Sequence, residues 1–151
     1  MIIVTGLLVR SEFSWLGYSA DGIHKSKNNV LSLLEVKCPV IGERAKTLKD
    51  FVSSLKCIEK NSLTLPLKLK QKHPFYGQIQ LGLLLYNFKF GKLLMYWKKE
   101  QKVVEILVPF DETFANEFIS RLRIVYFEHV LPYLYANKER LLIYKFGVHS
   151  K

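Results

Sequence analysis

Hydrophobic and polar positions along the chain follow two different periods, and these periods predict where strands and helices lie. Continuous apolar runs predict strands at residues 2–9, with Gly6 inside, and at residues 30–38, ended by Pro39. Residues 15–24 place Gly and Asp-Gly between short apolar pieces, which predicts a hairpin.

Apolar residues that recur every three or four positions predict three helices, and two further strands are predicted between the second and the third helix. The helices lie at residues 43–58, 74–87 and 111–132, and the strands at residues 92–97 and 103–108. Pro74 suits a first helical turn, and Asp111 is a candidate N-cap. The order β-β-β-α-α-β-β-α predicts an α/β domain with one mixed sheet. We expect residues 1–135 to form this single domain, with its core motifs in residues 15–90, and residues 136–151 to form a tail.

Composition narrows the classes of protein to consider. The 151 residues carry 23 Lys and Arg against 13 Asp and Glu, a net charge of +10. This charge favours an anionic partner, nucleic acid or an anionic membrane, although a basic protein with no such partner is equally compatible with it. No segment approaches the roughly 20 apolar residues of a membrane span, and the start lacks the basic region of a signal peptide. The two cysteines form no disulfide framework and no zinc motif, so we expect an intracellular protein, nuclear or cytoplasmic.

Two charged residues, Glu35 and Lys37, interrupt the apolar strand at residues 30–38. Side chains alternate along a strand, so both lie on the face that also carries Leu31 and Leu33. This predicts a strand buried on both faces with charges at its carboxyl end, where open α/β sheets bind ligands. Burying an ion costs several kcal/mol unless it is paired, so a simple ion pair between Glu35 and Lys37 is one explanation.

Asp21 favours a second explanation, because a turn before the strand could bring its carboxylate beside Glu35. Two adjacent carboxylates repel each other unless a cation lies between them. Hard oxygen ligands favour Mg²⁺ or Mn²⁺, and a neighbouring lysine could balance charge that develops on a phosphate. The order and separation of these residues therefore predict a metal-assisted hydrolytic site.

Three motifs, within about residues 6–100, resemble a known family. They are WLGYSADGI at residues 15–23, LLEVKCP at residues 33–39 and HPFYGQIQLGLLLY at residues 73–86. They are similar to the lambda-exonuclease branch, the YqaJ viral recombinase family, of the PD-(D/E)xK nuclease superfamily. The resemblance implies a restriction-endonuclease-like mixed sheet flanked by helices. Ala20 stands where the family usually has proline, which alters the turn but keeps Asp21.

The resemblance also implies roles for individual residues. Asp21 and Glu35 would be metal ligands together with the backbone carbonyl of Val36, Lys37 would be the catalytic lysine, and Gln78 would be the active-site glutamine. The cofactor would be Mg²⁺ or Mn²⁺, and the reaction hydrolysis of phosphodiester bonds in DNA. From the residues alone, Gln78 and Gln80 are also compatible with ordinary polar positions on a half-exposed helix, and Tyr76 with a core position.

Basic side chains are candidates for contacts with the nucleic-acid backbone, and a solvated lysine-rich surface is the alternative for them. These candidates are Arg44, Lys46, Lys49, Lys70 and Lys72. The family implies digestion from duplex ends, often by a ring-shaped homotrimer, and sometimes a single-strand-annealing protein as partner.

Family members have helices before the position that matches Gly6, and we expect these amino-terminal helices to be missing from this chain. A shortened chain suggests an alternative function, a DNA-binding remnant of the same fold with impaired or lost catalysis. A basic interaction module that does not bind nucleic acid is a third possibility.

Overall fold

The computed structural model describes residues 1–59 and 66–138. Its strands, in chain order, are β1 (Ile2–Ile3), β2 (Leu7–Val9), β3 (Gly17–Ser19), β4 (Gly22–Lys25), β5 (Leu31–Lys37), β6 (Phe90–Trp97) and β7 (Lys102–Pro109). Five of them form one sheet in the order β1-β4-β5-β6-β7, and β2 pairs with β3 in a separate two-stranded sheet. Strands β5 and β6 are parallel, whereas every other pair is antiparallel. The sheet is therefore mixed, as predicted, and β5 is its central strand.

The helices are α1 (Leu48–Ser54), α2 (Pro74–Tyr86), α3 (Glu112–Val125) and α4 (Leu131–Ala136). Helices α1 and α2 lie in the crossover from β5 to β6, because parallel neighbours in a sheet cannot be joined by a tight turn. The structure thus confirms the predicted α/β class, a mixed sheet flanked by helices.

The core lies on one face of the main sheet. Alternate residues of β6 and β7 are buried there, and α2 covers them; the side chains are Leu93, Met95, Trp97, Val104, Ile106, Val108, Ile79 and Leu83. Trp97 stacks on Phe51 of α1 at 5.4 Å between ring centroids, and its indole N–H donates to the Gly42 carbonyl at 2.7 Å. Helices α1 and α2 therefore pack against the main sheet, which contains β5.

The amino-terminal strands differ from the prediction. The expected strand at residues 2–9 is divided between the two sheets, and residues 15–24 do not form a hairpin with each other. Instead β3 pairs back with β2, while β4 pairs with β1 and β5. The chain changes sheets around Thr5, whose hydroxyl donates to the Ala20 carbonyl at 3.2 Å. Local turn signals do not specify which strand a segment pairs with, and long-range pairing decides it here.

The first helix is shorter than the predicted 43–58 segment. The Thr47 side chain accepts a hydrogen bond from the Asp50 N–H at 3.1 Å, and the Asp50 carboxylate accepts from the Thr47 N–H at 3.0 Å. This capping box sets the start of α1 at Leu48. Downstream, Ile58 forms a β-bridge with Leu69 rather than extending the helix. Residues 60–65 lie outside the described residues.

The second and third predicted helices agree with α2 and with the start of α3. Asp111 is the N-cap, because its Oδ1 accepts from the Phe114 N–H at 3.0 Å. Pro132, however, does not end the helical segment. A π-helical turn at Tyr126–Val130 precedes α4, and Pro132 lies in the first turn of α4, where a missing N–H is tolerated.

The chain divides into two compact units, Met1–Ala115 and a second one that begins at Asn116. The first contains both sheets and every predicted site residue. The second is helical in its described part and exposes several large apolar side chains. Residues 139–151, most of the predicted tail, lie outside the described residues. Within residues 1–59 and 66–138, every helix is too short or too polar to cross a bilayer.

Candidate active site

Glu35 lies near the carboxyl end of the central strand and is only 2% exposed. Three side chains donate hydrogen bonds to its carboxylate. The Tyr18 hydroxyl donates to Oε1, while the Lys37 ammonium and the Gln78 amide donate to Oε2 at 3.2 Å and 3.0 Å. A buried carboxylate with three donors is held in a single orientation, which is what a catalytic or metal-binding group requires.

Burial raises the pKa of Glu35 above its ordinary value, because desolvation penalises the charged form. The Tyr18 hydrogen bond and the Lys37 charge oppose this rise, and the nearby Asp21 charge adds to it. Burial, followed by the hydrogen bond to Glu35, also raises the pKa of the Tyr18 hydroxyl, so Tyr18 acts here as a hydrogen-bond donor.

Asp21 lies where the sequence places it, beside the end of β5. Its Oδ2 accepts a hydrogen bond from the Val36 N–H at 2.7 Å, and its side chain is exposed. The antiparallel register of β4 and β5 pairs Gly22 with Leu34, so one further step along both strands brings Asp21 opposite Glu35. The Asp-Gly turn thus brings the two acidic residues together on adjacent backbone segments.

Lys37 lies on the same face of β5 as Glu35, two residues further on. Its ammonium is 3.2 Å from Glu35 Oε2, and 26% of its side chain is exposed. It also lies 5.4 Å from the centre of the Phe75 ring, a distance at which a cation is attracted to an aromatic face. The ion pair expected from the strand pattern is therefore present, but it is part of a larger cluster.

The two glutamines of α2 have different roles. Gln78 faces the sheet and contacts Glu35, as the family resemblance implied. Gln80 is fully buried; its Nε2 donates to the Pro109 carbonyl at 2.8 Å and its Oε1 accepts from the Asp111 N–H at 2.8 Å. Residues two apart on a helix point in nearly opposite directions, so Gln80 joins α2 to the junction before α3 instead of entering the site.

Tyr18 is a site residue that the sequence did not single out. It lies on β3, is 6% exposed, and packs edge-on against Tyr86 at 6.3 Å. Its neighbour on α2 is Gly82, where a Cβ atom, if one were present, would lie 2.6 Å from the Tyr18 ring. A glycine at this position of an apolar helix is the one sequence signal that indicates a close approach.

Tyr76 belongs to the structural side of α2. Its hydroxyl donates to Asp111 Oδ2 at 2.9 Å, and its ring packs edge-on against Phe114 at 4.8 Å. Burial and the Asp111 carboxylate raise the pKa of Tyr76 to about 12. Tyr76 therefore contributes to the start of α3, and no described contact connects it to Glu35.

The predicted nucleic-acid contacts lie on two segments. Arg44, Lys46 and Lys49 are exposed at and before the start of α1, and Lys72 is exposed just before α2. Lys70 is less accessible, because its ammonium donates to the Lys56 carbonyl at 2.8 Å. Their role in DNA binding stays a prediction.

The residues at the site fit a divalent cation. In the described part of the chain no third acidic, His or Cys side chain joins Asp21 and Glu35 to form a metal-binding group. Mg²⁺, however, is commonly bound by one or two carboxylates together with waters and substrate phosphates. The like charges of Asp21 and Glu35, and the burial that disfavours the Glu35 anion, are both relieved by a cation.

The chain shares its fold with solved structures, but matches no family model or curated protein. Among solved structures, two share the mixed α/β fold of this chain. The crystal structure of LHK-Exo in complex with dAMP matches with a TM-score of 0.51 at 18% identity, over 93% of this chain and 64% of that one. A second structure of this alkaline exonuclease, from Laribacter hongkongensis, gives a TM-score of 0.48 at 17% identity, with the same coverage. At this identity the likeness shows a shared fold.

Proposed function

We propose that the chain is a metal-dependent deoxyribonuclease that hydrolyses phosphodiester bonds of DNA, as an exonuclease at duplex ends. The observation that carries the proposal is the Glu35 cluster. A buried carboxylate at the end of the central strand is held by Tyr18, Lys37 and Gln78. Beside it, Asp21 accepts a hydrogen bond from the N–H of the next residue, Val36. The fold shared with LHK-Exo and the motif resemblance support the same function.

Asp21, Glu35 and the Val36 carbonyl are the groups that would hold Mg²⁺ or Mn²⁺. When bound, such a cation polarises the scissile phosphate and makes a water molecule more nucleophilic. Tyr18 and Gln78 keep the Glu35 carboxylate oriented toward this position. The Lys37 ammonium is partly exposed, so it can stabilise negative charge that develops on a phosphate oxygen.

The substrate follows from charge and from the fold. A net charge of +10 favours a polyanion, and exposed Arg44, Lys46, Lys49 and Lys72 are available for contacts with phosphates. LHK-Exo is an exonuclease, which favours DNA ends as the place of action. A role in DNA recombination, with a single-strand-annealing protein as partner, stays a prediction of the family resemblance.

The test is a paired assay of cleavage and binding on linear duplex DNA with Mg²⁺. Lys37→Ala should lower cleavage by about 10²–10³-fold, as loss of a group that stabilises transition-state charge does. It should leave binding nearly unchanged, since affinity rests on many phosphate contacts and falls with added salt. Lys92→Ala is the matched control, because Lys92 forms a surface ion pair with Glu105 on the same sheet, 3.0 Å apart. If both activities fall equally in Lys37→Ala, Lys37 is a binding or structural residue and the catalytic assignment is wrong.

The rival is a DNA-binding chain of the same fold without cleavage. It is favoured by one observation: only two carboxylates meet at the site in the described residues, and Glu35 already accepts three hydrogen bonds. Wild-type protein that binds duplex DNA in a salt-dependent manner but cleaves neither linear nor nicked DNA with Mg²⁺ or Mn²⁺ would establish the rival.

A further inference from the structure

A cavity of about 280 Å³ adjoins the Glu35 cluster, and the mechanism above does not use it. It opens beyond the carboxyl ends of the parallel strands β5 and β6, where α/β sheets commonly bind ligands. The cavity is lined by Pro39 and Ile41, which follow β5, and by Leu55, the C-cap of α1. Phe75 at the start of α2 and Met95 of β6 complete the apolar lining. Its walls are therefore mainly apolar.

Phe75 connects this cavity to the proposed catalytic group. Its ring lines the cavity and also lies 5.4 Å from the Lys37 ammonium. His73, the N-cap of α2, lines the cavity too, and packs edge-on against Phe75 with the ring centroids 4.5 Å apart. A phosphate bound near Lys37 would therefore be separated from the aromatic-walled cavity only by the Phe75 side chain.

The chemistry of the rim indicates a ligand that is flat and attached to an anion. Lys56 is exposed at the edge of the cavity, and Lys37 lies just behind Phe75. Burial lowers the pKa of His73, with the nearby Lys70 charge adding to the effect, and this favours the neutral imidazole, which can stack on a ring. Nucleobases attached to phosphates bind in this way, stacked on aromatic side chains with basic groups along the backbone.

The geometry points to a nucleobase pocket: Phe75 and His73 hold one unstacked base of the DNA strand whose phosphate lies at Lys37. This inference rests on the proposed function for the identity of the strand, but it concerns binding and not cleavage. An enzyme that acts at a strand end gains from such a pocket, because a base removed from the stack positions the adjoining phosphate.

The experiment compares the binding of hexadeoxyadenylate with that of an abasic hexamer, in EDTA so that no cleavage occurs. Both probes carry the same phosphate charge, so their affinity ratio isolates the bases. The wild type should bind hexadeoxyadenylate at least about fivefold more tightly, since stacking one base on an aromatic ring has this effect or more. Phe75→Leu should remove most of the preference, and Phe75→Tyr should keep it.

Two further variants make the result decisive. Ile41→Trp fills the cavity from its rim without altering Phe75, and should also remove the preference; it decides the question if Phe75→Leu does not fold in a circular dichroism melt. Phe88→Leu is the matched control, because Phe88 lies beyond the opposite end of α2, about 20 Å away by helix rise, and should keep the preference.

Each outcome bears on the pocket separately from the nuclease. A preference that is absent in the wild type, or that survives both Phe75→Leu and Ile41→Trp, overturns the pocket even if DNA is cleaved. A preference that both variants remove establishes the pocket even if the wild type cleaves no DNA. If neither hexamer binds at low salt, the pocket and the proposed DNA substrate both fall.

Discussion

Glu35 combines two properties that a side chain rarely has together, almost complete burial and a formal negative charge. Its three hydrogen-bond donors offset the desolvation only in part, because the pKa remains raised. A buried carboxylate whose desolvation is only partly offset is common at functional sites, where a bound ligand or cation offsets the rest.

In metal-free buffer, the stability of the wild type should fall relative to Glu35→Gln as the pH rises. The folded state holds the Glu35 proton more tightly than the unfolded state, whose carboxyl has the ordinary pKa of 4.5. The protonated Glu35 therefore contributes its full stabilisation below pH 4.5, and this stabilisation is lost as the pH rises through the raised pKa of the folded state. The loss is about 1.4 kcal/mol for each pH unit between the unfolded and folded pKa values. Urea unfolding of both proteins between about pH 4 and pH 8 measures this. Parallel profiles would show that the Glu35 pKa is not raised.

Divalent metal should stabilise the wild type, because a ligand that binds only the folded state shifts unfolding by mass action. At one hundred times its dissociation constant the gain is about 2.7 kcal/mol. Glu35→Gln should lose most of this gain, whereas Glu105→Gln, on an exposed strand position, should keep it. Thermal melts with and without Mg²⁺ or Mn²⁺ give the result, and a wild-type melt that does not respond to either metal rules out the proposed site.

At the scale of elements, α2 determines the geometry of the site. One side of this helix carries Gln78 toward Glu35, and another carries Gln80 toward the junction between β7 and α3. Between them and the helix end, Gly82 allows Tyr18 and Leu33 to approach the helix backbone closely. Helix α2 therefore joins the strand that carries the acid, the strand that carries Tyr18, and the start of α3.

Gly82→Ala should destabilise the protein and misplace Tyr18. The new Cβ would lie 2.6 Å from Cζ of Tyr18 and 2.7 Å from Cδ2 of Leu33. Overpacking of this kind costs about 1–3 kcal/mol, which outweighs the gain of about 1 kcal/mol in helix propensity. Gly6→Ala is the control, since a Cβ added there would have no heavy atom within 4 Å. Denaturant unfolding that shows Gly82→Ala to be more stable than the wild type would contradict the close contact.

The two glutamines should separate activity from stability. Gln80→Met leaves the partly buried Asp111 N–H and Pro109 carbonyl without their partner, at a cost of about 1 kcal/mol for each lost hydrogen bond. Gln78→Met should change stability little, because Gln78 is partly exposed, but it should lower metal-dependent cleavage by removing one of the two donors that orient Glu35 Oε2. Unfolding and cleavage assays on both variants test this, and equal loss of stability in the two would refute the division of roles.

For the whole molecule, net charge and exposed apolar surface are the two features that bear on its proposed partners. The net charge of +10 favours DNA, as proposed above. The second unit exposes apolar side chains spaced three and four residues apart in its helical segment, namely Phe127, Val130, Leu131 and Leu134, each at least 38% exposed. Such a stripe is typical of a helix that packs against another surface, and it supports the expected homo-oligomer.

For the ring-shaped trimer that the family resemblance implies, light scattering should give three times the chain mass of 17.6 kDa. Leu134→Glu, which places a charge at the carboxyl end of the stripe, should give the mass of one chain. Val4→Glu changes an apolar residue that is 86% exposed in the first unit and should leave the assembly intact. A wild-type mass of 17.6 kDa at micromolar concentration would refute the oligomer.

The amino-acid sequence was enough to predict the α/β class, the central strand and most helix positions, and it singled out Asp21, Glu35 and Lys37 as candidate site residues. Apolar periodicity identifies α2 and β5 because burial on a helix or strand face imposes a fixed spacing of side chains. The E-x-K pattern draws attention to Glu35 and Lys37, because a strand buried on both faces rarely carries charges unless they form an ion pair or serve a site. Asp111 was recognisable as an N-cap from its position alone.

Only the tertiary structure decided which strands pair and which neighbours complete the site. The segment around Tyr18 predicts a local hairpin, yet β3 pairs with β2, and that pairing brings the Tyr18 hydroxyl to Glu35. Gln78 and Gln80 look alike in sequence, and only the packing of α2 assigns one to the site and the other to the core. Periodicity reports which face of an element is buried, whereas contacts between residues distant in sequence depend on how the elements are packed together, which no local pattern encodes.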